Sequence, residues 1–200
     1  MPWLGKDIQS LERLQAVLLI GSHVRKDQPL IAHRFRKAFR HHQLKISTIN
    51  PRKFKWRFKT SNELVSSAEG MVHNLAAVAK AVGGIKQPNL IDIINNASVS
   101  DEHKSIAEEL TTAGEAATIF IGNLAVQHPQ YSILRALSHA IAKQTGATLA
   151  YLPEAANTAA AYLAGSLPNR TAGGVKSDTC GVNRSEERRV GKGCRVRRAA

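Results

Sequence analysis

Two stretches of the chain share the same order of apolar runs and amphipathic spacing. In residues 15–51, a short apolar run from Ala16 to Ile20 leads into residues with helical spacing, and a β-branched run from Ile46 to Ile49 follows. An apolar run of this length predicts a buried strand rather than a helix. The stretch therefore predicts a strand–helix–strand unit, whose crossover makes the two strands parallel.

The helix of this first unit has a predicted start and a predicted buried face. Asp27 and Gln28 are candidate capping residues, and Pro29 suits the first helical turn. Residues at helical spacing predict one inward face: Ile31, Phe35, Ala38, Phe39 and His42.

Residues 117–153 repeat the pattern. The run from Ala117 to Ile121 predicts a strand, His128-Pro129 marks the start of a helix, and the run from Ala147 to Leu152 predicts the closing strand. Gly146 predicts a left-handed helix cap, because it has no Cβ. The helix is predicted to bury Ile133, Leu134, Leu137, Ala140 and Ile141.

These two βαβ units predict an α/β fold: a layered parallel sheet with flanking helices, of Rossmann-like type. Further helices are predicted over Met71–Val82, over Asp101–Thr112 with Ser98 or Ser100 as the cap, and over Glu154–Leu163. Residues 89–96 fit either a strand or a helical turn, and residues 61–69 are polar with no predicted element. We expect one domain over residues 1–168 and a polar linker over residues 169–183.

The net charge of +13 is unevenly distributed. Residues 24–59 hold twelve Lys and Arg against one acid, and residues 184–200 hold seven against two. The last seventeen residues have the composition of a disordered basic tail. Their string also resembles translated adapter or vector sequence, so we interpret them as a sequencing or vector artefact and leave their charge out of the functional argument.

Aromatic residues alternate with cations directly after Pro51. Phe54, Trp56 and Phe58 are separated by Lys and Arg. The pattern fits a single-stranded nucleic-acid platform, with cations on phosphates and rings on bases. It also fits an extended edge segment whose rings enter the core or meet a partner while its cations stay in water. We favour the second interpretation.

Composition limits the function classes. No apolar run approaches a membrane span, and the start of the chain has no signal-peptide pattern, so we expect a cytosolic chain or the cytosolic part of a larger protein. Cys180 and Cys194 are too few to hold an iron–sulfur cluster or a tetrahedral zinc ion within the chain. The eight histidines form no credible metal set, so we predict no metal site and no catalytic residue.

The ends of the predicted strands supply the candidate binding site, because open α/β sheets bind ligands there. This rim combines four short sequences: Gly21-Ser22-His23, Asn50-Pro51-Arg52, Gly122-Asn123 and Pro153-Glu154. Neither GxGxxG nor a phosphate loop is present, which disfavours a dinucleotide site of the NAD type. His23 and His128 could each bind a phosphate or a backbone carbonyl, and we favour the structural role.

Several phrases resemble a known family: PWLG, AVLLIGSHVRKDQPLIAHRFRKA, KISTINP, IFIGNLAVQHPQ and EAANTAAAYLAGSLP. Over about residues 2–168 the chain resembles the molybdopterin oxidoreductase-like domain of the large iron–sulfur subunits of bacterial NADH-quinone oxidoreductase, respiratory complex I. The positions that match the pterin-dinucleotide cradle of the wider family are Gly21, Ser22, Asn50, Pro51, Gly122 and Asn123. The resemblance implies a vestigial cradle in a scaffold domain that has lost its cofactor.

The resemblance also implies a setting for the chain. The 2Fe-2S and 4Fe-4S clusters are expected upstream of the matched region, so the chain resembles an internal fragment that is inactive alone. The expected partners are the other subunits of the peripheral arm, at the cytoplasmic face of the bacterial inner membrane, and no nucleic acid is expected. His23, Arg25 and Lys26 crowd the first loop, which does not forbid phosphates but offers no metal-ligating Cys or Ser. The alternatives are an autonomous basic nucleic-acid-binding module and, third, a small nucleotide-binding enzyme.

Overall fold

The computed structural model describes residues 3–155 and 157–179. The basic tail at residues 184–200 and both cysteines, Cys180 and Cys194, lie outside the described residues. The chain divides into two compact units, of which the first ends at Glu154 and the second begins at Ala155.

The larger unit contains a five-stranded, all-parallel sheet. In chain order, the strands are β1 (Ala16–Ile20), β2 (Lys45–Asn50), β3 (Asn62–Val65), β4 (Ala117–Ile121) and β5 (Thr148–Tyr151). Their order across the sheet is β3-β2-β1-β4-β5. The direction of strand order therefore reverses at β1 and β4, which pair in parallel with Ala16 opposite Ala117. The predicted α/β fold class and both βαβ units are confirmed.

Helices cover both faces of this sheet. The α-helices of the unit are α1 (Val24–Asp27), α2 (Pro29–His42), α3 (Ala68–Val82), α4 (Pro88–Asn95), α5 (Asp101–Ala113), α6 (Asn123–Val126) and α7 (Tyr131–Thr145). One apolar core joins α3, α4, α5 and α7 to the sheet, through residues such as Leu18, Leu75 and Leu137. The opposite core joins α2 to the sheet through Phe35 and Phe120.

A 3-10 turn at Ser10–Arg13 packs beside α2. Leu11 of this turn is fully buried. Glu12 binds both Arg34 and Lys37 of α2. The hydrogen bonds from Lys37 and Arg34 lower the pKa of Glu12 to about 2. The segment before β1 thus forms a short turn that is tied to α2 by charge as well as by burial.

Several predicted element boundaries are wrong for identifiable reasons. Helix α2 does begin at Pro29 with Gln28 at its N-cap position, as predicted, but no side chain caps it, because Gln28 donates to the Pro153 carbonyl and Asp27 accepts from the His23 N–H. His42, predicted to face inward, is exposed at the end of α2. The second long helix begins at Tyr131, after the separate turn α6, rather than at His128-Pro129.

The sequence analysis missed strand β3. It lies at the sheet edge, and only Leu64 among its four residues is buried, so its apolar pattern is weak. Residues 89–96, left open between strand and helix, belong to α4. Ser100 caps α5: its backbone N–H and its hydroxyl both lie within hydrogen-bond distance of Nδ1 of His103, at 3.0 and 2.7 Å.

The second unit is small. Its one α-helix within the described residues is α8, Thr158–Leu163, which is shorter than the predicted Glu154–Leu163 and has no buried residue. Isolated antiparallel bridges join Arg170 to Leu167 and to Lys176. No helix in the described parts of either unit is long and apolar enough to cross a membrane.

Candidate functional site

The predicted rim lies at the carboxyl ends of four neighbouring strands. Gly21 follows β1, Pro51 follows β2, Gly122 follows β4 and Pro153 lies two residues beyond β5. Because the sheet order is β2-β1-β4-β5, the first three of these loops are adjacent. The reversal between β1 and β4 is the place where open α/β sheets ordinarily leave a crevice for a ligand.

In this chain, the loops after β1 and β4 close that crevice. Leu124 donates its backbone N–H to the Gly21 carbonyl at 2.9 Å. A Cβ placed on Gly21 would lie 2.4 Å from the backbone nitrogen of Ala125, and one placed on Gly122 would lie 2.4 Å from the Cβ of Ser22. The two glycines therefore permit a direct backbone-to-backbone contact where a ligand would otherwise enter.

The backbone donors of these loops are already used. Gly21 N–H binds the Ile49 carbonyl at 2.9 Å, and Gly122 N–H binds the Ile20 carbonyl at 2.8 Å. Ser22 N–H donates to Oδ1 of Asn50 at 2.9 Å. These three N–H groups are therefore not free to bind a phosphate.

The side chains of the rim are mostly enclosed. Ser22 is 0% exposed and Asn50 is 1% exposed. Pro51 is exposed but has no N–H, and Asn123 is half-buried with its side-chain oxygen near Nε2 of Gln127. Of the six residues that the sequence resemblance assigns to a pterin cradle, only Pro51 and Asn123 reach the surface with their side chains.

Two enclosed polar atoms at the crevice have no partner among the described residues. They are the hydroxyl of Ser22 and Nδ2 of Asn50. Both residues are almost completely buried. The side chain of Asn50 acts as a clamp. Its Oδ1 accepts the Ser22 N–H and so holds the loop after β1 against the end of β2.

The clamp makes a prediction about stability. Asn50→Ala should lower the free energy of unfolding by about 1–3 kcal/mol, because it leaves the buried Ser22 N–H without an acceptor. Urea denaturation followed by circular dichroism measures the change. Thr48→Val is the matched control in the same strand, because it removes a buried hydroxyl that has no partner among the described residues. An equal loss in both variants would refute the clamp.

The two rim histidines make structural contacts. Nε2 of His128 lies 2.9 Å from the Ala68 carbonyl, and its Nδ1 accepts the Gln130 N–H at 2.9 Å. The His23 ring stacks on Phe54 with centroids 4.2 Å apart. The pKa of His23 is lowered from its ordinary value, mainly because the ring is partly buried. No group of three or more His, Cys, Asp or Glu that could hold a metal ion occurs within the described residues.

The aromatic residues after Pro51 turn their rings inward. Phe54 is buried, and Trp56 and Phe58 are half-buried against the apolar core on the α2 side of the sheet. Trp56 also donates its indole N–H to Glu63 at 3.2 Å. The favoured interpretation, rings inward and cations outward, agrees with these contacts. The segment itself is extended but makes no strand, and the ladder begins only at β3.

Comparison with known proteins places this geometry in a family. The model of the molybdopterin oxidoreductase family matches residues 2–177. The chain belongs to the molybdopterin oxidoreductase family. This family membership agrees with the all-parallel sheet described above.

A solved structure shows the same fold in this molybdopterin oxidoreductase domain. The chain is similar to one chain in the X-ray crystal structure of the formyltransferase/hydrolase complex from Methylorubrum extorquens in complex with methylofuran, with a TM-score of 0.57. The two are 13% identical, and the match covers 96% of this chain and 53% of that chain. The molybdopterin oxidoreductase domain therefore spans about half the length of that relative.

The family name implies a pterin cofactor, and the cradle residues as folded do not fit one. A pterin dinucleotide needs exposed donors for its phosphates and space between the loops. Here the N–H groups of Gly21, Ser22 and Gly122 are bound within the chain, and the loops after β1 and β4 touch. The described residues thus form a closed rim.

Proposed function

We propose that this chain is a scaffold domain of an electron-transfer subunit and that it binds no pterin itself. The closed crevice at the β1/β4 reversal is the observation that carries the proposal. Gly21 and Gly122 bring the two loops into contact, and their N–H groups are bound within the sheet. A domain of this kind contributes shape and rigidity to an oxidoreductase, while the redox centres lie in other residues.

The parent protein that we propose is the large iron–sulfur subunit of NADH-quinone oxidoreductase. The support is the sequence resemblance over about residues 2–168, together with membership of the molybdopterin oxidoreductase family. In this proposal, the complete subunit holds 2Fe-2S and 4Fe-4S clusters outside this chain. It packs against other subunits of the peripheral arm at the cytoplasmic face of the inner membrane, and the complex couples electron transfer from NADH to quinone with proton translocation.

Cofactor content tests the scaffold role. The full chain should be produced in a host that synthesises molybdopterin. Molybdenum, tungsten and iron are then measured by mass spectrometry, and pterin by its fluorescence after oxidative release. We expect each to remain far below one per chain, while a molybdopterin enzyme from the same host serves as the positive control. Stoichiometric pterin or molybdenum in the folded chain would refute the proposal.

Co-migration tests the choice of parent complex. A tag is placed on the protein at its own genomic locus, and solubilised membranes are separated on a native gel stained for NADH oxidation. The tag should co-migrate with the largest NADH-oxidising band. Co-migration with a different redox activity would keep the scaffold role and change the parent complex.

A second candidate, an autonomous nucleic-acid-binding module, is favoured only by the basic residues 24–59. Sequence-tolerant binding of single strands relies on aromatic rings that stack on bases. Phe54, Trp56 and Phe58 are instead packed against the protein itself. This candidate therefore retains its phosphate-binding charge and lacks a stacking surface in the described residues.

A further inference from the structure

A cationic cleft lies on the α2 side of the sheet, outside the rim. It is enclosed by the α1–α2 corner and the extended segment after β2, and its volume is about 180 Å³. Its polar lining consists of Arg25, His33, Arg36 and Arg57. The cleft therefore gathers three arginines, of which Arg25 and Arg36 lie close in sequence at the α1–α2 corner and Arg57 comes from the segment after β2.

The cleft also has an apolar wall made by Pro29, Ala32 and Phe58. Phe58 stacks on Trp56 with centroids 5.6 Å apart, and Trp56 is held in turn by its hydrogen bond to Glu63. Leu30, the neighbour of Pro29 in α2, is 73% exposed. Guanidinium groups beside a fixed apolar surface match a ligand that carries both negative charge and apolar groups.

One of the three arginines is held in place by the protein. Arg25 donates from Nη1 to the Lys55 carbonyl at 3.1 Å, which joins α1 to the extended segment. This bond uses part of one guanidinium and leaves its remaining donors available. Holding a guanidinium before the ligand arrives lowers the entropy lost on binding.

Within the described part of the chain, no carboxylate forms an ion pair with the arginines of the cleft. Across residues 3–155 and 157–179, no ion pair involves Arg25, Arg36 or Arg57, whereas Arg34 and Lys37 on the same helix both bind Glu12. The protein thus neutralises the side of α2 that faces the 3-10 turn and leaves the side that lines the cleft positively charged. Uncompensated arginines gathered in one concave site favour an anionic partner, since the guanidinium fork matches carboxylate geometry.

We propose that this cleft binds an acidic segment of a partner protein, in which carboxylate side chains meet the three arginines and an apolar side chain packs on Pro29, Ala32 and Phe58. The apolar wall favours such a segment over free phosphate, and the inward rings favour it over a single-stranded nucleic acid. This inference goes beyond the proposed function and does not depend on which complex contains the chain.

Fluorescence anisotropy with the full chain tests the cleft. The probe is a fluorescein-labelled peptide with the repeat Glu-Leu-Glu-Glu, and the same peptide with every Glu replaced by Gln is the reference ligand. Replacing Arg25, Arg36 and Arg57 by Gln should weaken binding of the acidic peptide by about ten-fold, from three lost ion pairs. The control variant replaces Arg13, Arg40 and Arg135 by Gln, which removes the same charge outside the cleft, and should change the affinity by less than about two-fold.

A second variant separates binding from folding, because Arg25 also holds the extended segment. The double variant Arg36→Gln with Arg57→Gln leaves that bond intact and should still weaken peptide binding more than the control variant does. Equal losses in the cleft and control variants would overturn the proposal. So would displacement of the peptide by inorganic phosphate at equal concentration, or tighter binding of a single-stranded oligonucleotide than of the acidic peptide.

Discussion

Gly21→Ala should lower the free energy of unfolding by about 3–5 kcal/mol, more than an ordinary glycine substitution. Gly21 has a φ of +56°, so any Cβ is strained there. The new methyl group would also meet the backbone nitrogen of Ala125 at 2.4 Å, and a backbone atom cannot move aside as the end of a flexible side chain can. Urea denaturation monitored by circular dichroism gives the change.

Gly146→Ala is the matched control for this prediction. Gly146 also has a positive φ, +76°, but a Cβ there would have its nearest neighbours at 4.0 Å. In the control, the free energy of unfolding should therefore fall by only about 1–2 kcal/mol, which is the strain of a left-handed backbone at a residue with a Cβ. Equal stability of the two variants would show that the loops after β1 and β4 are not in close contact. The crevice would then not be closed, and the proposed function would lose its main support.

Phe120→Ala should lower the free energy of unfolding by about 3–5 kcal/mol. Phe120 lies in β4, is fully buried and packs on Phe35 of α2 with ring centroids 5.4 Å apart. Removing its ring leaves a cavity between the sheet and α2, and the surrounding strands are too constrained to fill it. Chemical denaturation at a single pH measures this loss.

A double-mutant cycle makes the second prediction specific. Phe35→Ala alone should cost a similar amount, and the double variant should cost less than the sum by about 0.5–1.5 kcal/mol, the coupling of an aromatic pair. Val126→Ala, at a side chain that is 44% exposed, is the control and should change stability by less than about 0.5 kcal/mol. Strict additivity in the cycle would show that the two rings do not contact each other.

The main elements could be predicted because their signals are local. The run from Ala16 to Ile20 is buried on both faces, so its apolar character is continuous, and the helix that ends at Gly146 carries its own stop signal. Strand β3 escaped prediction because an edge strand is stabilised by its neighbour β2 rather than by its own burial. Gln28 stands at the predicted N-cap position of α2, but its side chain does not cap the helix because it donates to the carbonyl of Pro153, 125 residues away.

The sequence by itself determined the parallel α/β class and the residues at the ends of the strands, because both follow from hydrophobic periodicity and from glycine placement. Only the tertiary structure decided that the rim is closed. The closure depends on β1 lying between β2 and β4, which brings Asn50 and Gly122 to Ser22 from opposite sides. Strand order and the approach of Arg57 to Arg25 and Arg36 arise from long-range packing, and no local pattern of residues carries that information.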